Sequence, residues 1–241
     1  MPYDLAPFAT QLSAYSPIGA KDRKAILSLP FETRAVRGSR RISHLGHSQR
    51  DFLVLLDGFS LRQKLTSSGN RHISALNIAG DGLNISAIFM NDVDYEVMPM
   101  SGATVAIIPR EAAVNLFQDH PAIFLAVFSS VLVDAAIARE WLLNQSRRAS
   151  KARVAHFLCE HSARMTARGL CKSGVIDLGI TQDQLADVLG LTAVHINRTL
   201  SALKTAGLIT RNGRYFEIRD ALALQDVGEF NPSYLYMSTH R

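Results

Sequence analysis

The stretch from Thr192 to Ala206 carries, at helical spacing, the residue types that read a nucleic-acid duplex. At 100° per residue, Val194, Arg198, Ser201 and Thr205 project from one side of a helix, with Asn197 and Lys204 on one flank and His195 on the other. No carboxylate interrupts that face. Its chemistry suits the major groove, where arginine donates bidentately to guanine, asparagine pairs with adenine and an aliphatic group meets the thymine methyl. Base contacts are therefore expected from Val194, Asn197 and Arg198. Contacts to phosphates are expected from Thr192, His195, Ser201 and Lys204 around them.

Two further elements must hold this face in place. Thr181-Gln-Asp-Gln184 is a capping box, in which the Thr181 hydroxyl accepts from a free backbone N–H while Gln184 reaches back, so a helix starts there. Leu185, Val188 and Leu189 form its inner side, Gly190 ends it through a left-handed turn, and Thr192 caps the next helix. Ile196, Leu200 and Leu203 fall at i, i+4 and i+7 and face the first helix. Thr181 and Gln182, at the start of that helix, join the backbone contacts. After Gly207, residues 208–218 read as two short strands around Asn212-Gly213, a strong hairpin signal. Arg211 and Arg214 flank its tip, where they are expected over phosphates. The segment is a winged helix-turn-helix. The alternative is a β-domain sensor or interaction module whose helix-turn-helix binds protein rather than DNA.

Other chemistry is thinly represented. There is no G-x-S-x-G elbow, P-loop, H-E-x-x-H or strand-following G-x-G-x-x-G, so the chain is not read as an enzyme. His156 and Cys159 share a helical face, but His161 lies well around the helix and no pair including Cys171 has zinc-finger spacing. His44, His47 and His72 are read as surface or hydrogen-bonded residues rather than haem ligands. No metal or cofactor is expected.

The 241 residues, 47% apolar and 20% charged, suit one large domain or two small ones and exclude a disordered polyelectrolyte or a disulfide scaffold. Residues 1–146 hold 13 basic and 13 acidic side chains and residues 147–241 hold 13 and 8, so the whole net charge of +5 lies in the C-terminal part. That points to a neutral sensing or assembly half and a half that meets a polyanion. Two cysteines and a start without a signal-peptide pattern suggest a reducing cytoplasm. The most apolar run, Ile123 to Val133, is broken by Ser129, Ser130 and Asp134 and falls short of the ~18–20 residues of a bilayer span. No membrane partner is expected.

From Phe31 to Arg110 short alternating segments with turn signals every 8–12 residues suggest an all-β domain, an antiparallel sandwich or barrel. The expected strands are 52–59, 60–65, 72–78, 96–100 and 104–108, with Asp57-Gly58, residues 67–70 and Gly80-Asp81-Gly82 as turns. After Pro109 the period becomes helical. Phe124, Val127, Phe128, Val131, Ala135, Ala138 and Trp141 form a stripe on a helix of ~22 residues, read either as a dimer seam or as a helix packed on the β domain. Asn144 to Ser150 reads as a polar hinge, followed by a helix over 151–168. The tail from Asp220 is expected to form a short helix and pack on the wing or hinge.

This order of features resembles the Crp/Fnr family of bacterial transcription regulators over about residues 30–220. The specific part is ITQDQLADVLGLTAVHINRTLSALKTAGLI, where Thr181, Gly190, Thr192, Arg198, Leu203 and Gly207 fall at the family's spacings. The resemblance implies an α+β chain. Residues 1–120 would be an N-terminal β-roll of the double-stranded β-helix or jelly-roll kind, 121–147 a long dimerisation helix and hinge, and 148–241 the winged helix-turn-helix with its C-terminal tail. It implies a cytoplasmic homodimer on a palindromic double-stranded DNA operator with half-sites ~34–36 Å apart, and RNA polymerase as a further partner. Arg198 matches the family's base-reading arginine. Val194 stands where several members have glutamate and Ala193 where the catabolite activator protein has a second arginine, so a different operator is expected.

In the N-terminal half Leu55-Leu56-Asp57-Gly58, Gly69-Asn70-Arg71 and Gly80-Asp81-Gly82-Leu83 resemble the β-roll's turns and the start of its phosphate cassette. An effector pocket is placed on this basis at Gly80, Asp81, Leu83 and Asp94. Members that bind cyclic AMP continue with an Arg-Ser pair that holds the phosphate. Here those places fall within a residue of Val93 and Asp94, and Asp92, Asp94 and Glu96 would repel an anion, so no cyclic-nucleotide binding is expected. No cysteine precedes Cys159, which leaves too few thiolates for an N-terminal [4Fe–4S] cluster. The effector is left unnamed.

Overall fold

The computed structural model describes residues 3–38, 40–43, 50–69, 71–90, 93–171 and 174–237. His44, His47, Asn70 and Asp92, discussed above, lie outside them. Two compact units divide the chain, one running to Leu132 and the other covering Val133–Met237.

In the first unit α1 (Ala6–Ser13) and α2 (Ala20–Leu27) precede β1 (Glu32–Val36), β2 (Phe52–Leu65), β3 (Arg71–Ile78), α3 (Ser86–Phe89), β4 (Glu96–Ile108), α4 (Arg110–Asp119) and the start of α5 (Pro121–Arg147). The strands form one antiparallel sheet in the order β1-β4-β2-β3. β2 explains why Phe52 to Leu56 is apolar without alternation. Successive side chains leave a strand on opposite faces. Phe52, Val54 and Leu56 enter one core with Leu5, Phe8 and Leu12 of the α1 region and Ile123, Ala126 and Val127 of α5, whereas Leu53 and Leu55 enter a second core with Ile42, Leu83, Val97 and Val105.

Three sequence expectations need correction here. The segments 52–59 and 60–65 are one strand, as are 96–100 and 104–108. The Asp57-Gly58 signal marks register shifts in the pairing of β2 with β4 rather than a turn, because a bulge bends a strand without ending it. The N-terminal unit is not all-β: α1 and α2 cover the sheet, and the stripe Leu5, Phe8, Ala9 and Leu12, at i, i+3, i+4 and i+7, was the signal for the first. α4 and α5 are separate because His120, before Pro121, leaves the helical region with φ −129° and ψ 79°.

The second unit contains the rest of α5, then α6 (Ser150–Ala167), β5 (Val175–Asp177), α7 (Gln182–Leu189), α8 (Ala193–Thr205), β6 (Ile209–Asn212), β7 (Tyr215–Ile218), α9 (Ala221–Gly228) and a 3-10 turn over Pro232–Leu235. α5 is 27 residues long, so the expected hinge shrinks to Arg148 and Ala149. Asn144, read as hinge, is buried and accepts from Arg148 Nη1 at 2.8 Å. β5 adds an unanticipated third strand beside the wing hairpin, in the order β5-β7-β6. By length and composition α5 is also apolar enough to cross a bilayer, contrary to the expectation drawn from its serines and Asp134. Ile123, Ala126 and Val127 on one of its faces are nevertheless buried in the first unit's core.

The tail docks on α6 through buried polar groups. Tyr234 donates to Glu160 Oε2 at 2.7 Å, the Trp141 indole donates to Glu160 Oε1 at 3.1 Å, and His156 lies 3.1 Å from both Gly228 O and the Tyr234 hydroxyl. Burial is the main cause of the shifts here: the His156 imidazole is held down to about 4, and Glu160 is pushed above the usual carboxylate range. His161, whose Nε2 lies 3.1 Å from Asp177 O, is also held down to about 4 by burial, and the Cys159 thiol is pushed up to about 12.

Candidate nucleic-acid interface

The helix-turn-helix is built from its caps outward. Gln184 N donates to Thr181 Oγ1 at 3.2 Å and Thr181 N donates to Gln184 Oε1 at 2.9 Å, closing the capping box that starts α7. Gly190, at φ 61° and ψ 39°, supplies the left-handed residue that ends it. Thr192 Oγ1 accepts from His195 N at 3.2 Å and so caps the first turn of α8, and it lies 3.0 Å from the His195 side chain at Nδ1. Leu185, Val188 and Leu189 of α7 and Ile196, Leu200 and Leu203 of α8 are buried. Their burial leaves Val194 76% exposed and Asn197, Arg198, Ser201, Lys204 and Thr205 on the outside. Arg198 and Lys204 have no polar partner among the described residues, as expected of groups that await one.

Arg153 was not singled out in the sequence. Its guanidinium donates to Leu189 O at 2.8 Å, Gln145 O at 3.0 Å and Arg148 O at 3.1 Å, so it satisfies carbonyls left open at the ends of both α7 and α5. Nothing in its spacing announces this, because the three acceptors are backbone groups brought together by the fold.

The wing departs from expectation. Arg214 Nη2 donates to Asp177 Oδ2 at 2.6 Å, and Arg214 lies over the Tyr215 ring. Arg211 turns back from the hairpin: Nε donates to Gly213 O at 2.8 Å, the group lies over the Phe216 ring, and burial lowers its pKa. Its two Nη atoms face the Gln182 amide, which also meets Asn197. Both wing arginines are thus engaged within the protein rather than projecting from the tip. Between α8 and the hairpin lies a concave space of about 290 Å³ lined by Leu200, Ser201, Lys204, Arg211 and Gly213.

Residues 152–227 match the family described as the Crp-like helix-turn-helix domain. Those residues form a helix-turn-helix domain of the Crp-like kind. It is similar to a probable transcriptional activator of Rhizobium leguminosarum bv. viciae, 25% identical over 191 residues that cover 78% of this chain and 77% of the other. It is also similar to the transcriptional activator protein FnrL of Cereibacter sphaeroides, 26% identical over 185 residues and 74% of each chain. Its fold is that of FixK2 from Bradyrhizobium japonicum, with a TM-score of 0.74 at 22% identity over 83% of this chain and 98% of that one. A CooA mutant from Carboxydothermus hydrogenoformans gives 0.64 at 17% identity over 95% and 97%.

The α5 stripe has two destinations. Phe124, Phe128, Val131, Ala135 and Ala138 are exposed, together with Leu125, Leu132 and Leu142. Val127 and Trp141, expected on the same seam, are buried within the chain: Val127 in the N-terminal core, Trp141 against Phe157 and Glu160. The stripe expected from sequence mixed two faces, and the exposed one follows steps of four and three from Phe124 to Leu142.

The expected effector residues differ in their surroundings. Gly80 has φ 98°, and a Cβ there would lie 2.4 Å from Pro7 O at α1. Asp81 Oδ2 accepts from Ile78 N at 2.9 Å, and Leu83 is fully buried. Asp94 is a surface residue paired with Lys64 at 2.7 Å, and that ion pair holds its carboxyl below the usual range. These four shape the turn and the rim of the sheet. His72, on β3, is exposed.

Proposed function

We propose that this Crp/Fnr-type chain is a homodimeric, sequence-specific DNA-binding transcription regulator that reads a palindromic operator with α8. The observation that carries the reading is the outer face of α8, where Val194, Arg198, Ser201, Lys204 and Thr205 are exposed beside a helix-turn-helix whose apolar side chains are buried. Base reading falls to Val194 and Arg198, with Asn197 beside them. Phosphate contacts fall to Thr181, Gln182, Thr192, His195, Ser201 and Lys204, and to Arg211 and Arg214 where DNA displaces their internal partners. The exposed apolar steps of α5 supply a two-fold seam. The relatives are named activators, which favours activation and makes RNA polymerase a partner. A DNA operator places the chain in the cytoplasm.

Selection of bound fragments from genomic DNA by the purified chain tests this directly. The expected product is a palindrome bound by two chains, with half-sites ~34–36 Å apart. Equal, purely salt-dependent retention of all fragments would overturn it.

A further inference from the structure

Within the second unit α5 and α6 are joined only by Arg148 and Ala149, and α7 and α8 by residues 190–192. A few linking residues can absorb a large change of backbone direction, so helix orientation depends on side chains that cross such links. Arg153, the fourth residue of α6, reaches the ends of both α5 and α7. Its Nη2 donates to Gln145 O at 3.0 Å and Arg148 O at 3.1 Å, at and just after the end of α5. Its Nη1 donates to Leu189 O at 2.8 Å and Gly190 O at 3.5 Å, at the end of α7. Gln145 adds a bond in the same direction, its Nε2 donating to Val188 O at 3.4 Å.

The last carbonyls of a helix lack intrahelical donors and carry its negative end. Two such ends converge on this one cation. A cation near the start of its own helix opposes that helix's dipole, so the placement of Arg153 answers to α5 and α7 rather than to α6. The planar guanidinium serves two directions with two separate nitrogens. A lysine offers one nitrogen on a shorter stem and holds one end at a time.

The two ends belong to different parts of the interface. Before Gln145, α5 exposes Ala135, Ala138 and Leu142 on the face read as the two-fold seam, and after Gly190, α8 carries Arg198. The Trp141 indole fixes α5 on α6 through Glu160, and Arg153 extends that fixing to the α7–α8 turn.

We propose that Arg153 is a positioning residue that sets the separation of the two recognition helices in the dimer, and with it the half-site spacing that the chain accepts. This rests on the reading of the chain as a homodimer on a palindromic operator. Arg153 itself touches no base in this role.

The test measures binding of the full-length chain and its Arg153→Lys and Arg153→Ala variants to a half-operator and to operators whose half-sites are shifted by one or two base pairs. The wild-type chain is expected to prefer one spacing, near one helical turn, and to lose most of the ~10²–10⁴-fold advantage of two linked sites at the others. Arg153→Lys should keep the half-operator affinity, the base preference and the dimer seen in sedimentation equilibrium. Its advantage at the best spacing should nevertheless fall about tenfold, with weaker discrimination among spacings. Arg153→Ala should move the same way and further. Wild-type spacing selectivity in Arg153→Lys, a variant that no longer dimerises, or half-operator binding that falls as much as full-operator binding would each overturn the inference, the last because it marks a merely structural role. A wild-type chain that binds full and half operators alike would instead remove the dimeric reading on which it rests.

Discussion

Arg198 differs from the other arginines of the interface in having no internal partner among the described residues. Arg211, Arg214 and Arg153 are each held by carbonyls, a carboxylate or an amide. Its guanidinium therefore pays no cost of breaking an internal bond when it meets a base. Arg198→Ala is expected to weaken operator binding by ~1–3 kcal/mol and erase preference at one base pair per half-site. Lys204→Ala is expected to weaken all sequences alike and to reduce the salt slope by about one. Salt-titrated binding to operator and random DNA separates the two.

The buried histidines give a second residue-scale expectation. His156 and His161 are held at about 4 in the folded chain, below the ordinary ~6.5. The unfolded chain takes up protons between those values that the folded chain refuses, so their stabilisation is complete above about pH 6.5 and is lost as pH falls toward 4. Glu160 is raised by burial and acts in the opposite sense, its contribution fading as pH rises through its folded value. Two histidines against one carboxyl leave a net loss of stability on acidification. Urea unfolding followed through Trp141, the one tryptophan, should show this slope between pH 4.5 and 6.5. His161→Gln should flatten it, and an unchanged slope would contradict the assignment.

At the scale of the element, α5 carries two functions on opposite faces. Ile123, Ala126 and Val127 face the first unit's core, and Trp141 and Asn144 are buried in the second. Between them Phe124, Phe128, Val131, Ala135, Ala138 and Leu142 remain outside, at the spacing of a coiled-coil seam. Phe128→Glu places a charge on that exposed face and should yield a folded monomer by sedimentation equilibrium. Val127→Ala should instead lower the unfolding midpoint and leave association intact. The reverse pairing of outcomes would place the seam elsewhere.

At the scale of the whole molecule, the proposed two-fold partner would matter because a second recognition helix would bind at high effective concentration once the first is seated. The Phe128→Glu monomer should lose ~10²–10⁴-fold in operator affinity while keeping the same half-site preference, measurable by titration against full and half operators. The sequence by itself determined the winged helix-turn-helix, because caps, left-handed glycines and i, i+4 apolar steps are local and α7, α8, β6 and β7 lie within forty residues. It also determined which side of α8 is polar, since helical periodicity settles that without a neighbour. Only the tertiary structure decided which of two apolar α5 faces is already covered, that α1 seals the Gly80 turn, and that Arg211 and Arg214 fold back onto Gln182 and Asp177. Each of these depends on groups distant in sequence meeting in space, and burial or pairing with a remote partner leaves no mark in the spacing of either residue.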